Sequence, residues 1–79
     1  MSASAVALAE WVGAVGGLNR AARILKLSAP TVLNYIRGRM RPSATGRWGN
    51  RRQRIQRLTH GYVRADGWLL PHERAEQAA

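Results

Sequence analysis

Arginine is the residue type in this sequence that offers the most chemistry. Nine arginines lie from Arg37 to Arg64, and no acidic residue lies among them. A guanidinium group donates paired hydrogen bonds to phosphate oxygens or to the edge of a guanine base. Like charges without counterions repel one another and weaken folding unless an anion neutralises them. The segment therefore favours contact with phosphates over a merely solvated basic surface.

The charge of the whole chain leads to the same kind of partner. Thirteen Lys and Arg against four Asp and Glu give a formal net charge of +9 in 79 residues. An excess of this size is typical of nucleic-acid-binding domains. The length allows one small domain, which excludes an enzyme with a cleft between two domains.

The residues that serve catalysis or metal binding are sparse. His60 and His72 are 12 positions apart, and the acidic residues are scattered, at Glu10, Asp66, Glu73 and Glu76. No phosphate loop, nucleophile motif or metal-ligand spacing is present. We therefore expect no enzyme activity, no metal, no cofactor and no small-molecule ligand. Without cysteine or a long apolar run, we also expect a cytoplasmic protein that does not bind membranes.

Three helices are predicted before residue 39. Helix 1 covers residues 5 to 15 and ends at Gly16-Gly17, and a short helix 2 runs from Asn19 to Lys26. Ser28 caps helix 3, which has Pro30 in its first turn and ends at Gly38.

The remainder of the chain is predicted to add one helix and a hairpin. Asn50 caps a fourth helix that extends through Thr59, after a basic connector over residues 39 to 49. Asp66-Gly67 suits a two-residue hairpin turn, flanked by residues 62–65 and 68–70. The expected fold is mainly α-helical, of about four helices with a C-terminal β-hairpin or strand. The domain spans residues 1–71, and residues 72–79 form a polar tail that is disordered or frayed.

Helices 2 and 3 match the pattern of a helix-turn-helix. A small residue, Ala22, lets the two helices approach closely, and Leu25 and Leu27 fill the wedge between them. A major groove about 12 Å wide accepts the second helix of such a pair, N-terminal turns first. The residues that carry the pattern are Gly17, Ala21, Ala22, Leu25, Leu27, Ser28, Thr31, Val32, Tyr35, Ile36 and Gly38.

Over residues 17–38 the chain resembles the phage Cro and cI-type helix-turn-helix repressors, including the short Cro-like regulators of phages and prophages. A weaker similarity covers residues 39–42 and resumes over residues 55–63. Two departures stand out. Lys26 occupies the turn position where the family has Gly, so it must adopt a positive φ or shift the turn. Residues 43–52 are longer and more basic than usual.

The resemblance implies roles for the residues of helix 3. Ser28 and Thr31 would lie near phosphates, and the positions facing the bases are Ala29, Pro30, Leu33, Asn34 and Arg37. Arg37 suits guanine and Asn34 suits adenine, each with about 1–3 kcal/mol of discrimination. Two alternatives stay open: Leu33 packs in the core, or Asn34 is simply an exposed helix residue.

Further phosphate contacts are predicted on both sides of helix 3. Helix 2 crosses the DNA backbone in this motif and supplies Asn19, Arg20 and Arg23. The connector after helix 3 supplies Arg39, Arg41 and Arg47, which could follow the backbone or enter a minor groove.

A homodimer is expected, because one helix-turn-helix reads about four to six base pairs and a palindrome doubles the site. Apolar residues near the C-terminus are assigned to the dimer interface: Tyr62, Val63, Trp68, Leu69 and Leu70. The alternative is that these residues fold back onto helices 1 and 4.

The expected function is sequence-specific binding of double-stranded DNA by a transcriptional regulator in a bacterial or phage-infected cell. A dimer on a palindromic operator would block access to a promoter, as Cro-like repressors do. Two other classes compete with this interpretation. One is a basic protein that binds nucleic acid without sequence preference or binds RNA. The other is a protein-interaction module or inhibitor built on the same fold.

Overall fold

The computed structural model describes residues 2–45 and 49–78, and this part of the chain is mainly helical and contains no β-strand. Its α-helices are α1 (Ala3–Val15), α2 (Leu18–Leu25), α3 (Ala29–Ile36), α4 (Arg51–Leu58) and α5 (Pro71–Ala78), with a 3-10 helix at Ala65–Trp68 between α4 and α5. None of these helices is long and apolar enough to cross a bilayer.

Short-range hydrogen bonds set the starts of three helices, and α1 begins two residues earlier than predicted. The Ser2 hydroxyl accepts the Ala5 N–H at 3.2 Å, the Ser28 hydroxyl accepts the Thr31 N–H at 3.3 Å, and the Asn50 side chain accepts the Gln53 N–H at 3.0 Å. Each bond satisfies an N–H that has no partner within its helix. The predictions that Ser28 and Asn50 begin helices are confirmed.

The turn between α2 and α3 has a positive φ at Lys26, which was one of the two possibilities predicted for this position. Lys26 adopts a left-handed conformation, with φ 57° and ψ 42°. Leu27 then donates its N–H to the carbonyl of Ala22 at 2.9 Å, which closes the end of α2. Ser28 starts α3 two residues after Lys26, so the direction of α3 is set by this turn.

The core lies where α1, α2 and α3 meet the 3-10 helix. Its largest fully buried side chains include Trp68, Tyr35, Leu8 and Leu25. The rings of Tyr35 and Trp68 meet edge to face, with centroids 5.9 Å apart and an interplanar angle of 65°. This contact joins α3 to a segment more than thirty residues later in the chain.

The predicted hairpin is replaced by the 3-10 helix, in which Gly67 donates its N–H to the carbonyl of Arg64 at 3.3 Å. Packing explains the difference. A Cβ at Gly67 would lie 2.3 Å from the Ser4 hydroxyl oxygen, so the segment passes directly against α1. A compact turn places Trp68 in the core, which an exposed hairpin would not.

The same packing corrects the assignment of the C-terminal apolar residues to a dimer interface. Val63 and Trp68 are 0% exposed in the single chain, and Leu69 and Leu70 are partly buried. Val63 and Trp68 therefore belong to the core, which was the alternative, and Leu69 and Leu70 remain partly accessible. Tyr62 differs, because it is 52% exposed.

The predicted disordered tail forms α5. Its first helical residue is Pro71, and the Glu73 carboxylate accepts the Leu70 N–H at 3.1 Å. A third-position Glu that bonds back to the capping residue is half of a capping box. The structure thus has a helix where a disordered or frayed tail was predicted, because this helix starts from a local cap that does not need an apolar face.

Candidate nucleic-acid interface

The predicted base-facing residues of α3 differ in how far they reach solvent. Pro30 and Arg37 are exposed, whereas Leu33 and Asn34 are partly buried. Ala29 is also partly buried and packs against the core. The accessible outer surface of α3 therefore consists of Pro30 and Arg37, with smaller contributions from Leu33 and Asn34.

The N-terminus of α3 carries two hydroxyl groups that bond to each other. The oxygens of Ser28 and Thr31 lie 2.7 Å apart on the exposed side of the helix. A helix N-terminus bears a partial positive charge that favours anions, and hydroxyls there donate to phosphate oxygens. The structure places both predicted phosphate-binding residues at this end.

The predicted phosphate contacts of α2 come together in one groove. Asn19, Arg20 and Arg23 line an open groove of about 530 Å³ together with Gly16 and Ile24. All three polar side chains are exposed, and no acidic side chain lines the groove. This arrangement leaves two guanidinium groups available to an anion.

A second basic groove lies at the C-terminal end of α3. It measures about 500 Å³, and Arg37, Arg39 and Arg41 line it beside Tyr35 and Trp68. The indole Nε1–H of Trp68 is buried without an acceptor in the described part of the chain. Arginine guanidinium groups therefore line one groove on α2, which precedes α3 in the chain, and a second groove at the C-terminal end of α3.

Arg41 differs from its neighbours because it has an acidic partner. Its guanidinium donates to the Glu73 carboxylate at 2.5 Å, which links the connector to α5. The Leu70 N–H and Arg41 together hold the pKa of Glu73 below its usual value. A phosphate must therefore compete with Glu73 for Arg41. Arg47, which was also predicted to bind phosphate, lies outside the described residues.

Two arginines of α4 are anchored by hydrogen bonds that were not predicted from the sequence. Arg51 donates to the Tyr35 hydroxyl at 2.9 Å, and the Nε of Arg52 donates to the Pro42 carbonyl at 2.7 Å. Burial, followed by the nearby charge of Arg41, lowers the pKa of Arg52.

The position of these two arginines is electrostatically unfavourable. Arg51 and Arg52 are the first residues of α4, where the helix dipole is already positive and the first turn contains no acidic residue. An anion near this end would relieve the repulsion. The sequence signal was available, since two arginines come directly after the capping Asn50.

Comparison with protein-family models, curated proteins and solved structures finds no match to this chain. Within residues 2–45 and 49–78, no three His, Cys, Asp or Glu side chains are grouped so that they could hold a metal ion. The geometry of the described residues is thus the basis for assigning a function.

Proposed function

We propose that this chain is a sequence-specific double-stranded DNA-binding regulator in which α2 and α3 act as a helix-turn-helix. The observation that supports the proposal is that arginines line one groove on α2, the helix preceding α3, and another at the C-terminal end of α3, while Pro30 and Arg37 are exposed. A duplex presents phosphates on both sides of its major groove, so a helix in that groove needs cations on both sides.

In this arrangement α3 enters the major groove. Arg37 is exposed near the C-terminal end of α3 and donates to the O6 and N7 atoms of guanine. Asn34 lies one turn earlier and pairs with adenine. Arg20 and Arg23 on α2 bind the backbone and fix how deeply α3 sits.

The chain acts as a dimer on a palindromic operator and blocks a promoter, as a Cro-like repressor in the cytoplasm of its host. Two copies bring two α3 helices to half-sites about one helical turn apart. Steric exclusion requires neither catalysis nor a small-molecule effector, so repression follows the concentration of the protein.

Selection from a random duplex library at about 150 mM salt tests the proposal, because non-specific phosphate binding weakens at that ionic strength. Enrichment of an inverted repeat is expected. Equal binding to random duplex, single strands and RNA would overturn it in favour of a non-specific basic protein. Weak DNA affinity combined with tight capture of an acidic protein would favour an interaction module.

Two variants separate base readout from backbone contact. Arg37→Ala should relax the preference at one base pair by about 1–3 kcal/mol. Arg23→Ala, the control, should weaken binding equally for all sequences and reduce the salt dependence. If the two variants behave identically on operator and random duplex, α3 does not read sequence.

A further inference from the structure

The outer side of α1 is an apolar surface that the described chain leaves uncovered. Ala5, Leu8 and Val12 point into the core. On the other side Val6 is 47% exposed, and Ala3 is exposed as well. A helix that is apolar on both sides is typically covered on both sides. Among the described residues, the core covers the inner side of α1, whereas the outer side around Ala3 and Val6 is exposed.

Tyr62 extends this surface beyond the helix. It is 52% exposed, and its hydroxyl donates to the Glu10 carboxylate of α1 at 2.6 Å. A groove of about 210 Å³ lies beside Tyr62, and its lining also includes Ala3, Ala7, Arg64 and Asp66. Tyrosine is enriched in protein interfaces because it buries a large ring while its hydroxyl stays hydrogen-bonded. We call Ala3, Val6, Ala7, Glu10 and Tyr62 the α1–Tyr62 surface.

The distribution of charge identifies the occupant of this surface. All thirteen cations lie at residue 20 or later, and Glu10 is the one charged side chain in residues 1–19. Two copies that each carry +9 repel strongly wherever their arginines meet. The two other charged side chains at this groove, Arg64 and Asp66, pair with each other at 3.1 Å. Two copies therefore approach through the outer side of α1 at a small electrostatic cost, whereas an acidic partner is attracted to the arginine-lined grooves instead.

We propose that two copies of this chain pair through the α1–Tyr62 surface, each placing Val6 against the groove of the other. This interface adds a dimerisation surface to the proposed function. It rests on that function only because two chains must bind one operator. It also replaces the interface that the sequence suggested, in which Val63 and Trp68 are core residues. Pairing by the same surface on both copies gives the two-fold symmetry of a palindrome.

Sedimentation velocity of the full chain tests the surface directly, with Val6→Lys compared with Ile24→Lys. Ile24 is 38% exposed on α2, so the control also adds one lysine at an exposed apolar position. We expect dimers for the natural chain and the control, and at least a tenfold larger dissociation constant for Val6→Lys. Circular dichroism should show equal helix content, because lysine is a good helix former. Equal dissociation constants for the two variants would overturn the proposal.

A second pair of variants protects the test from unfolding. Tyr62→Phe keeps the ring and should keep the dimer, whereas Tyr62→Ser should dissociate it. A natural chain that stays monomeric up to about 200 µM would overturn the interface.

Binding to a single half-site separates the two proposals, because monomeric Val6→Lys should bind it as the natural chain does. A chain that dimerises through Val6 without sequence preference refutes the regulator and leaves the interface intact.

Discussion

Arg41 and Glu73 form an ion pair that joins the connector after α3 to the first turn of α5, with 2.5 Å between nitrogen and oxygen. The side chains are 40% and 27% exposed, so the pair lies at the surface and a stronger anion can replace the carboxylate. Arg41 also lines the basic groove at the end of α3. Glu73 of α5 and a DNA phosphate therefore compete for Arg41.

Replacing Glu73 with Gln should strengthen DNA binding. Gln still accepts the Leu70 N–H, so the start of α5 survives, but Arg41 becomes available to a phosphate. The slope of log affinity against log salt should become steeper by about 0.9. Glu76→Gln is the matched control, because it removes the same charge from an exposed position one turn later. Identical slopes for both variants would show that Arg41 does not reach the backbone.

The ion pair should also make the docking of α5 depend on pH. The folded-state pKa of Glu73 is held below the ordinary value of 4.5 by the Leu70 N–H and Arg41. Its contribution to stability is thus fully present above that value and is lost as the pH falls through the lowered pKa. Helical circular dichroism of the natural chain should decline below about pH 4.5 by more than that of Glu73→Gln. Parallel acid profiles would contradict this.

Gly67→Ala should destabilise the fold. Its new Cβ would lie 2.3 Å from the hydroxyl oxygen and 3.3 Å from the backbone nitrogen of Ser4, so α1 and the 3-10 helix would have to separate. Overpacking of this kind costs about 1–3 kcal/mol, measured by urea denaturation.

Gly13→Ala is the control for Gly67→Ala, because no atom lies within 4 Å of its added Cβ. It should leave the free energy of unfolding unchanged or raise it by up to about 1 kcal/mol. Ser4→Ala alone should also destabilise the fold, because the Ser4 hydroxyl donates to the Arg64 carbonyl, and Gly67→Ala should cost less in the Ser4→Ala background than in the natural chain. Equal stabilities for the two glycine variants would show that the contact with Ser4 is unimportant.

Lys26→Gly should stabilise the turn between α2 and α3. The left-handed conformation of Lys26, with φ 57°, costs a residue with a Cβ about 1–2 kcal/mol. Glycine removes that cost and adds chain entropy worth about 0.5–1 kcal/mol to the unfolded state. A net gain of about 0.5–1 kcal/mol in the free energy of unfolding is expected from thermal or urea denaturation. Lys26→Ala removes the same charge but keeps the Cβ, so an equal gain there would contradict the strain argument.

The sequence by itself determined that α3 begins after Ser28 and α4 after Asn50, and it placed the start of α1 two residues late. Ser28 and Asn50 bond to backbone N–H groups three residues later, so the signal and its target lie within one turn. The left-handed residue at the end of α2 has the same short-range origin. Arg20 and Arg23 meet in one groove because they are three positions apart on a single helix.

Only the tertiary structure decided the conformation of the chain after α4 and which arginines are already engaged. Trp68 is buried against Tyr35, and this contact favours a 3-10 helix over the hairpin that Asp66-Gly67 suggested. Arg41 finds Glu73 across 32 positions of sequence. Composition does not reveal which residues will meet over such a separation. A local turn preference is worth about 1 kcal/mol, so burial of one large aromatic side chain easily outweighs it.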